Sequence, residues 1–283
     1  MITTDGKVYI KRFLAQQVPT IAQSIGFGIG TSAESSGSTR LDFEVGRADV
    51  NLISYDFVND KLIFKATVPA EYGGKIYEVS LFALSTLGAN AEFGSRVLTT
   101  LDSDTETWVD ATSGTAATFS STNARVGDDA LRHTPSASGS KTDALKDIDL
   151  DLSGYSSADR FILALNNTNS YASSVNVKFL TDVSNYYQVN FGTPSVGYNV
   201  LEVNKGAAAV TGTPSWANIT EIRITTNASA GGSPTVDYDG IRIQDLDNIE
   251  ENDIMVSREV LSSPFTKVEG MTQEVEFALS ISI

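Results

Sequence analysis

The sequence predicts an all-β protein with one short N-terminal helix, in which a discontinuous antiparallel β domain carries an inserted β-sandwich. Three observations predict this architecture. Apolar residues recur at every second position over most of the chain, a helical period occurs only near the start, and the middle of the chain is richer in Ser, Thr, Asn, Asp and Gly than either end. Strands that follow one another without intervening helices are typical of a sandwich.

The helical period lies in residues 7–18, and Pro19 ends it because a proline disfavours helical geometry in the residue before it. The residues that would share its apolar face are Ile10, Phe13, Leu14 and Val18. We expect one short amphipathic helix packed on a sheet.

Both ends of the chain then change to a period of two. The predicted strands of the N-terminal part are residues 41–45, 61–68 and 75–84. Turn residues between them, at 58–60 and 72–74, predict an antiparallel meander. Residues 272–283 also alternate, and the apolar side of that strand is Val275, Phe277, Leu279, Ile281 and Ile283. A strand this regular needs a sheet to join.

The middle of the chain contains its own set of strands. They are residues 160–165, 174–179, 186–191, 198–203, 221–225 and 237–243. Gly, Pro, Asn and Ser fill the connections, as expected of turns. We predict that residues 1–98 and 250–283 form one β domain and that residues 99–249 form a second one inserted into it, since insertions succeed where both ends meet at an exposed loop.

The charge and the missing residue types exclude several functions. Lys and Arg number 20 against 35 Asp and Glu, which gives a formal charge of −15. Nucleic acid and anionic lipid are therefore not expected partners. The absence of Cys excludes disulfides and thiol chemistry. The start of the chain does not read as a signal peptide, and no apolar run is long enough to span a membrane.

The sequence contains no recognisable catalytic arrangement. The single histidine, His133, precedes a proline in a Ser-rich stretch and is expected in a loop. There is no Gly-x-Ser-x-Gly motif for a serine nucleophile, and no pair of carboxylates is singled out by spacing for glycoside hydrolysis. We expect a protein that is not an enzyme and assign no catalytic residue.

Four short motifs in the N-terminal part occur in a recognisable order. They are residues 28–31 (GIGT, followed by a Ser-rich loop), 41–47 (LDFEVGR), 62–66 (LIFKA) and 75–82 (KIYEVSLF). Together they resemble the N-terminal attachment domain of tail-collar and fibre proteins of tailed bacteriophages. Ser80 departs from the common form of the last motif, which has Gly. The resemblance implies a virion structural protein that docks on a larger particle.

Five motifs in the middle of the chain carry a second resemblance. They are residues 108–110 (WVD), 127–132 (GDDALR), 149–155 (DLDLSGY), 216–224 (WANITEIRI) and 236–243 (VDYDGIRI). They look like a jelly-roll of the carbohydrate-binding-module kind. Such modules often hold a structural Ca²⁺, for which the candidate ligands are Asp110, Asp128, Asp129 and Asp239. Solvated surface acids are the alternative reading, because no EF-hand spacing is present. No other cofactor is expected.

Sugar binding needs an aromatic face with hydrogen-bonding side chains beside it. Alternation sends Asn176 and Lys178 outward on one predicted strand. On the next strand Tyr186, Gln188 and Asn190 share one side. The candidate glycan ligands are Asn176, Tyr186, Gln188, Asn190, Trp216, Arg223 and Arg242. Trp216 lies near a proline in a loop, where it is either a stacking platform or a plug in the core.

Two functional hypotheses follow. The first is a non-enzymatic bacteriophage virion structural protein, either a tail, neck or baseplate appendage or a capsid decoration protein. It would be made in the host cytoplasm, reside in the virion, contact other virion proteins and form a symmetric oligomer, with a trimer favoured. The second is a glycan-binding adhesin that recognises host surface polysaccharide through the inserted jelly-roll. An adhesin needs an exposed aromatic platform, whereas a decoration protein does not.

Overall fold

The computed structural model describes residues 1–70, 72–83, 96–246 and 254–280. The chain divides into two compact units, Met1–Phe93 with Asn248–Ile283, here called the split unit, and Gly94–Asp247, here called the inserted unit. The predicted junction between residues 249 and 250 lies outside the described residues. Antiparallel strands dominate the described part of the chain, which contains one α-helix, so the predicted all-β class is confirmed.

The helices and strands follow in chain order through both units. They are α1 Thr4–Leu14, β1 Ser24–Gly28, β2 Glu44–Asp56, β3 Lys61–Val68, β4 Gly74–Phe82, β5 Arg96–Thr99, β6 Trp108–Asp110, β7 Phe119–Ser120, β8 Ala130–His133, β9 Ser140–Leu150, β10 Arg160–Asn167, β11 Ala172–Asp182, β12 Asn185–Gly192, β13 Gly197–Asn204, the 3₁₀ helix Lys205–Ala207, β14 Ala209–Thr211, β15 Ile219–Ala228, β16 Val236–Gln244, β17 Met255–Lys267 and β18 Gln273–Leu279. None of the helices in the described ranges is long and apolar enough to cross a membrane.

Helix α1 begins and ends earlier than the apolar period predicts. Thr3 caps it, because its hydroxyl accepts a hydrogen bond from the Gly6 amide at 2.8 Å. The helix ends at Leu14, and Gln16 has a φ of 58°, a left-handed conformation that stops the helix. Leu14 is 63% exposed, so its predicted place on the buried face is wrong. Ile10 lies on that face as predicted, together with Tyr9.

The split unit contains one six-stranded sheet in the order β17-β4-β1-β2-β3-β18. Strands β1 to β3 form an antiparallel meander, but β4 leaves it and pairs with β1 and β17. The predicted strand at 41–45 is mostly loop, because β2 begins at Glu44 and the side chains of Leu41 and Phe43 anchor the preceding loop in the interior. Strand β18 joins β3 at the sheet edge with Phe277 opposite Phe64, while Ile281 and Ile283 lie outside the described residues.

One buried carboxylate holds three of the N-terminal motifs together. Glu78 on β4 accepts hydrogen bonds from the backbone amides of Gly30, Asp42 and Phe43 at 3.0 to 3.2 Å. Arg258 on β17 donates to the same carboxylate from Nε at 2.9 Å and from Nη2 at 2.7 Å. A buried carboxylate is stable only with such partners, so this cluster fixes the loop between β1 and β2.

The inserted unit is a sandwich of two antiparallel sheets. The first sheet has the order β13-β10-β16-β8-β7, with β5 also paired to β16, and the second has the order β14-β12-β11-β15-β9-β6. The inner sides of the two sheets share one apolar core. Phe161 from the first sheet stacks on Phe179 from the second, with ring centroids 4.6 Å apart. Alternate side chains therefore point away from this core on each sheet.

Candidate functional site

The outer side of the second sheet carries most of the predicted ligand residues. On β11 and β15 the residues that alternate with them, Val177, Phe179, Ile222 and Ile224, are fully buried in the core. The intervening side chains therefore point outward. We call this surface the polar face, and its members are Ser174, Asn176 and Lys178 on β11, Tyr186, Gln188 and Asn190 on β12, Glu221, Arg223, Thr225 and Asn227 on β15, and Thr142 and Lys146 on β9.

The strand register brings five of the seven predicted ligand residues together. Asn176 is the register partner of Asn190, and Lys178 lies between Gln188 and Arg223. Two residues further along the same strands, Tyr186 is the register partner of Leu180. These side chains are exposed or half-buried, so they remain accessible to a ligand.

A row of amide and hydroxyl groups crosses the middle of the polar face. Gln188 Nε2 donates to Asn176 Oδ1 at 3.5 Å, and Asn176 Nδ2 donates to Ser174 Oγ at 3.4 Å. Asn227 donates to the same Ser174 hydroxyl at 2.8 Å. The two longest of these bonds are weak, so the Gln188 and Asn176 amides can exchange them for hydrogen bonds to a ligand.

The charged and aromatic groups form a second part of the polar face. Arg223 donates to Glu221 through Nε at 2.7 Å and through Nη2 at 3.1 Å. The Lys178 ammonium lies 4.1 Å from the centre of the Tyr186 ring. A hydrogen bond with Thr211 and the nearby Lys178 charge lower the pKa of the Tyr186 phenol. The ring and the ammonium thus form one preorganised unit.

Trp216 is a core plug, and its alternative reading as an exposed platform is wrong. Its ring stacks on Tyr187 with centroids 3.8 Å apart and a 6° angle between the planes. Phe161 and Phe179 both lie 5.7 Å from it, centroid to centroid. Tyr187 lies on the inner side of β12, so Trp216 closes the end of the core.

Arg242 does not belong to the polar face. It lies on β16 in the first sheet, where it pairs in register with Ile162, and only 7% of it is exposed. Alternation correctly turned it away from Ile241 and Ile243, but alternation gives no information on which of two sheets a strand joins. Arg242 therefore does not share one surface with the other candidate glycan ligands, contrary to the prediction.

The four predicted calcium ligands do not converge, and the carboxylates of Asp110, Asp129 and Asp239 have other partners. Ser113 and Thr112 amides and the Lys141 ammonium bind Asp110 and hold its pKa well below the usual range, with Lys141 the main cause. Asp129 accepts from Ser103. Within the described ranges, no group of three or more acidic or histidine side chains could hold a metal ion.

Asp239, the fourth of these, is a buried carboxyl group with hydrogen-bond donors of its own. It is fully buried and accepts hydrogen bonds from the amides of Arg125 and Val126 and from the Tyr198 hydroxyl. Burial raises its pKa to about 7. This geometry does not support its predicted role as a calcium ligand. Asp128 is an exposed acid, and its backbone amide donates a hydrogen bond to Asp102.

His133 ends strand β8 and is fully buried, so its predicted place in a loop is wrong. Its Nδ1 lies 2.9 Å from the Thr226 hydroxyl, and its Nε2 lies 3.1 Å from Asp143 Oδ2. Burial lowers its pKa, which favours the neutral imidazole. A side chain enclosed between the two sheets cannot reach a substrate, so this contact is structural.

Several members of the polar face are missing from the predicted ligand set. Lys178, Glu221, Thr225 and Asn227 point outward by the same alternation that selects Asn176 and Arg223. The sequence pattern therefore contains the signal for them. Their proximity to one another depends on the pairing of β11 with β15, which lie about 40 residues apart in the chain.

No protein-family model matches the chain, and no curated protein sequence matches it either. Among solved structures, the chain is similar to a family 11 carbohydrate-binding module of a Clostridium thermocellum cellulosomal cellulase, with 12% identity, a TM-score of 0.40, and coverage of 53% of this chain and 94% of the module. It is similar to a carbohydrate-binding module specific for non-crystalline cellulose, with 13% identity, a TM-score of 0.34, and coverage of 53% and 94%. The enzymatically active domain of tailspike protein 4 of bacteriophage CBA120 matches with 12% identity, a TM-score of 0.26, and coverage of 41% and 15%.

Proposed function

We propose that the protein is a non-enzymatic glycan-binding protein and that the polar face is its glycan-binding surface. The observation that carries this proposal is the convergence of five predicted ligand residues on one accessible side of the second sheet. Amide side chains can both donate to and accept from sugar hydroxyls, and the Tyr186 ring offers an apolar surface for a sugar ring. A broad sheet surface suits a polysaccharide segment better than a small enclosed ligand.

The chemistry of the polar face favours binding over hydrolysis. Glycoside hydrolysis uses two carboxyl groups on either side of the scissile bond. Among the described members of the polar face on β11, β12 and β15, Glu221 is the one acid, and Arg223 holds it in a two-point ion pair. These three strands therefore offer no second carboxylate for this reaction, which supports a binding role.

The split unit supports a second part of the proposal, attachment to a larger particle of the bacteriophage virion type. Hydrogen bonds to Glu78 join three of the motifs that resemble phage attachment domains into one cluster. The hairpin of β2 and β3 also exposes an apolar tip, in which Phe57 is 87% and Val58 91% exposed. Exposed apolar tips of this kind are characteristic of protein contacts. We propose that they contact further copies of the chain in a trimer on the particle.

A glycan array with the full chain tests the glycan-binding proposal. We expect wild-type binding that becomes about tenfold weaker in Tyr186→Ala, since an aromatic contact contributes about 1 to 1.5 kcal/mol beyond its buried area. Tyr171→Ala is the matched control, because Tyr171 is an exposed tyrosine of the same unit in the turn between β10 and β11. Absence of binding by folded wild-type protein, or equal losses in both variants, would contradict the proposal.

The molar mass in solution tests the attachment proposal separately. We expect a species of three times the 30.2 kDa chain mass. The variant Phe57→Ser should shift this species toward monomer while far-UV circular dichroism stays unchanged, because the side chain contacts solvent rather than the core. A monomeric wild-type chain, or a trimer insensitive to the substitution, would contradict a self-contact at this hairpin tip.

A further inference from the structure

The three central strands of the polar face, β12, β11 and β15, are locally cationic in a chain that is strongly acidic overall. On β11, β12 and β15 the charged members are Lys178 and Arg223 against Glu221, so cations exceed acids by one, while on β9 the exposed acids Asp147 and Asp149 follow Lys146. The whole chain has a formal charge of −15. Asp182, the next acid along β11, accepts hydrogen bonds from Ser184 and Asn185 in the turn to β12. The excess of positive charge is therefore concentrated in the middle of the sheet.

Two of these cations face each other directly across neighbouring strands. Lys178 on β11 is the register partner of Arg223 on β15. Like charges in opposite positions of an antiparallel pair destabilise the sheet. Arg223 is compensated by Glu221, whereas no carboxylate within the described ranges lies at ion-pair distance from Lys178. The contact of Lys178 with the Tyr186 ring orients its ammonium but leaves its charge uncompensated.

This arrangement fits an anionic group next to a sugar ring. An ammonium with no acidic partner, beside a guanidinium, attracts a carboxylate or a sulfate. The amides of Asn176 and Gln188 lie next to Lys178 on the same side and can bind the hydroxyls of that sugar. Screening limits the repulsion from distant acids, since the Debye length is about 8 Å at physiological ionic strength.

We infer that the polar face selects acidic polysaccharides, with Lys178 and Arg223 as the site for the carboxylate or sulfate group of the glycan. This inference rests on the proposed glycan-binding function and names the class of glycan. Lys178 is the principal anion ligand, because Glu221 already occupies the fork of Arg223.

Three polysaccharides of different charge test the inference with the full chain. Polygalacturonate supplies carboxylates, dextran sulfate supplies sulfates and dextran supplies neither. We expect the wild-type protein to bind at least one of the two acidic polymers and to prefer it to dextran. Which acidic polymer binds more tightly identifies the anionic group. The preference should decrease as salt is added, because added ions screen the attraction between the charges.

Variants then locate the anion site. Lys178→Gln should weaken binding to the acidic polymer about tenfold, as expected when a charged hydrogen-bond donor is lost. Arg223→Gln should weaken it less, because Glu221 occupies the fork of Arg223. Lys178→Arg keeps the charge and should retain most of the binding. Lys7→Gln, an exposed lysine of α1, makes the same change in net charge and should have no effect. Thermal unfolding of each variant shows that the fold is intact.

The outcomes separate the inference from the proposal beneath it. Preferential binding of dextran, or acidic binding that survives the Lys178→Gln, Arg223→Gln double variant, would overturn the inference. In the first of these cases, loss of dextran binding in Tyr186→Ala would leave the proposed function standing. Absence of binding to all three polymers and to every glycan on the array would overturn both.

Discussion

The two sheets of the inserted unit have opposite outer faces. The polar face of the second sheet is accessible and its hydrogen bonds are partly weak. The centre of the outer side of the first sheet, here called the covered face, is buried, with Ile162 and Asp237 at 1% exposure or less. A loop covers part of it, since Asn123 donates to Asp237 at 2.6 Å and the Val126 amide donates to Asp239 at 3.1 Å. The contrast shows that a sandwich can devote one outer face to stability and leave the other free to bind.

Buried polar groups on the covered face need hydrogen-bond or ion-pair partners. A buried carboxylate must be paired or neutral. Asp237 is paired, because Arg132 donates to it through two nitrogens at 2.6 and 2.9 Å. Asp239 instead has a raised pKa and is surrounded by hydrogen-bond donors. Polar groups on the polar face do not need protein partners, because water can form hydrogen bonds with them.

The largest predicted effect concerns the pH dependence of stability and the covered face. Because the pKa of Asp239 rises from 3.8 to about 7 in the folded chain, the folded state holds a proton that the unfolded state releases between these values. Stability should therefore fall as pH rises through this range, by up to about 4 kcal/mol from this one group. Asp239→Asn should abolish that part of the dependence. Urea unfolding at several pH values measures it.

The exposed Asp128→Asn variant is the control for this experiment. Subtracting the variant curve from the wild-type curve at each pH removes the contributions of other groups, including the buried Glu78 and His133. Parallel curves for wild type and Asp239→Asn would show that Asp239 has the same proton affinity in both states, contrary to its buried position.

The second prediction concerns the ion pair of the covered face. Asp237→Ala removes the acceptor for both Arg132 and Asn123 and should lower the free energy of unfolding by about 3 kcal/mol. Asp149→Ala, at an exposed position of β9, should change it by less than about 0.5 kcal/mol. Denaturant unfolding measures both. Equal, small effects would mean that the covered face does not depend on this pair.

The smallest predicted effects on stability belong to the polar face. Asn176→Ala and Gln188→Ala should each change the free energy of unfolding by less than about 0.5 kcal/mol, because their mutual hydrogen bond is long and water can replace it. The same variants should weaken glycan binding in a titration. A large loss of stability with unchanged affinity would make this surface a structural one, like the covered face.

The direction in which side chains point could be predicted from the sequence, but the side chains that lie next to them could not. Strict alternation along β11 and β12 placed Asn176 and Gln188 on the outside, and the structure agrees. Along β10 the run FILAL has no alternation, which is typical of a strand buried on both sides, and β10 is such a strand. Arg242 shows the limit, since its direction was predictable but the sheet to which β16 belongs was not.

Local signals also failed where tertiary contacts decide. The proline and serines around His133 resemble a loop, yet Thr226 and Asp143 from distant strands hold this histidine between the sheets. For Trp216, near a proline, the sequence left a stacking platform and a core plug open, and contacts with Tyr187 and Phe179 decide for the core plug. In both cases the partner lies elsewhere in the chain, so neighbouring residues carry no information about it.

Hydrogen exchange of the full chain, with and without a glycan identified on the array, tests the contrast between the two faces most directly. We predict that bound glycan protects backbone amides in β11, β12 and β15 and leaves those of β10 and β13 unchanged. Protection confined to the first sheet or to the split unit would contradict the assignment of the polar face as the binding surface, as would failure of every glycan to bind.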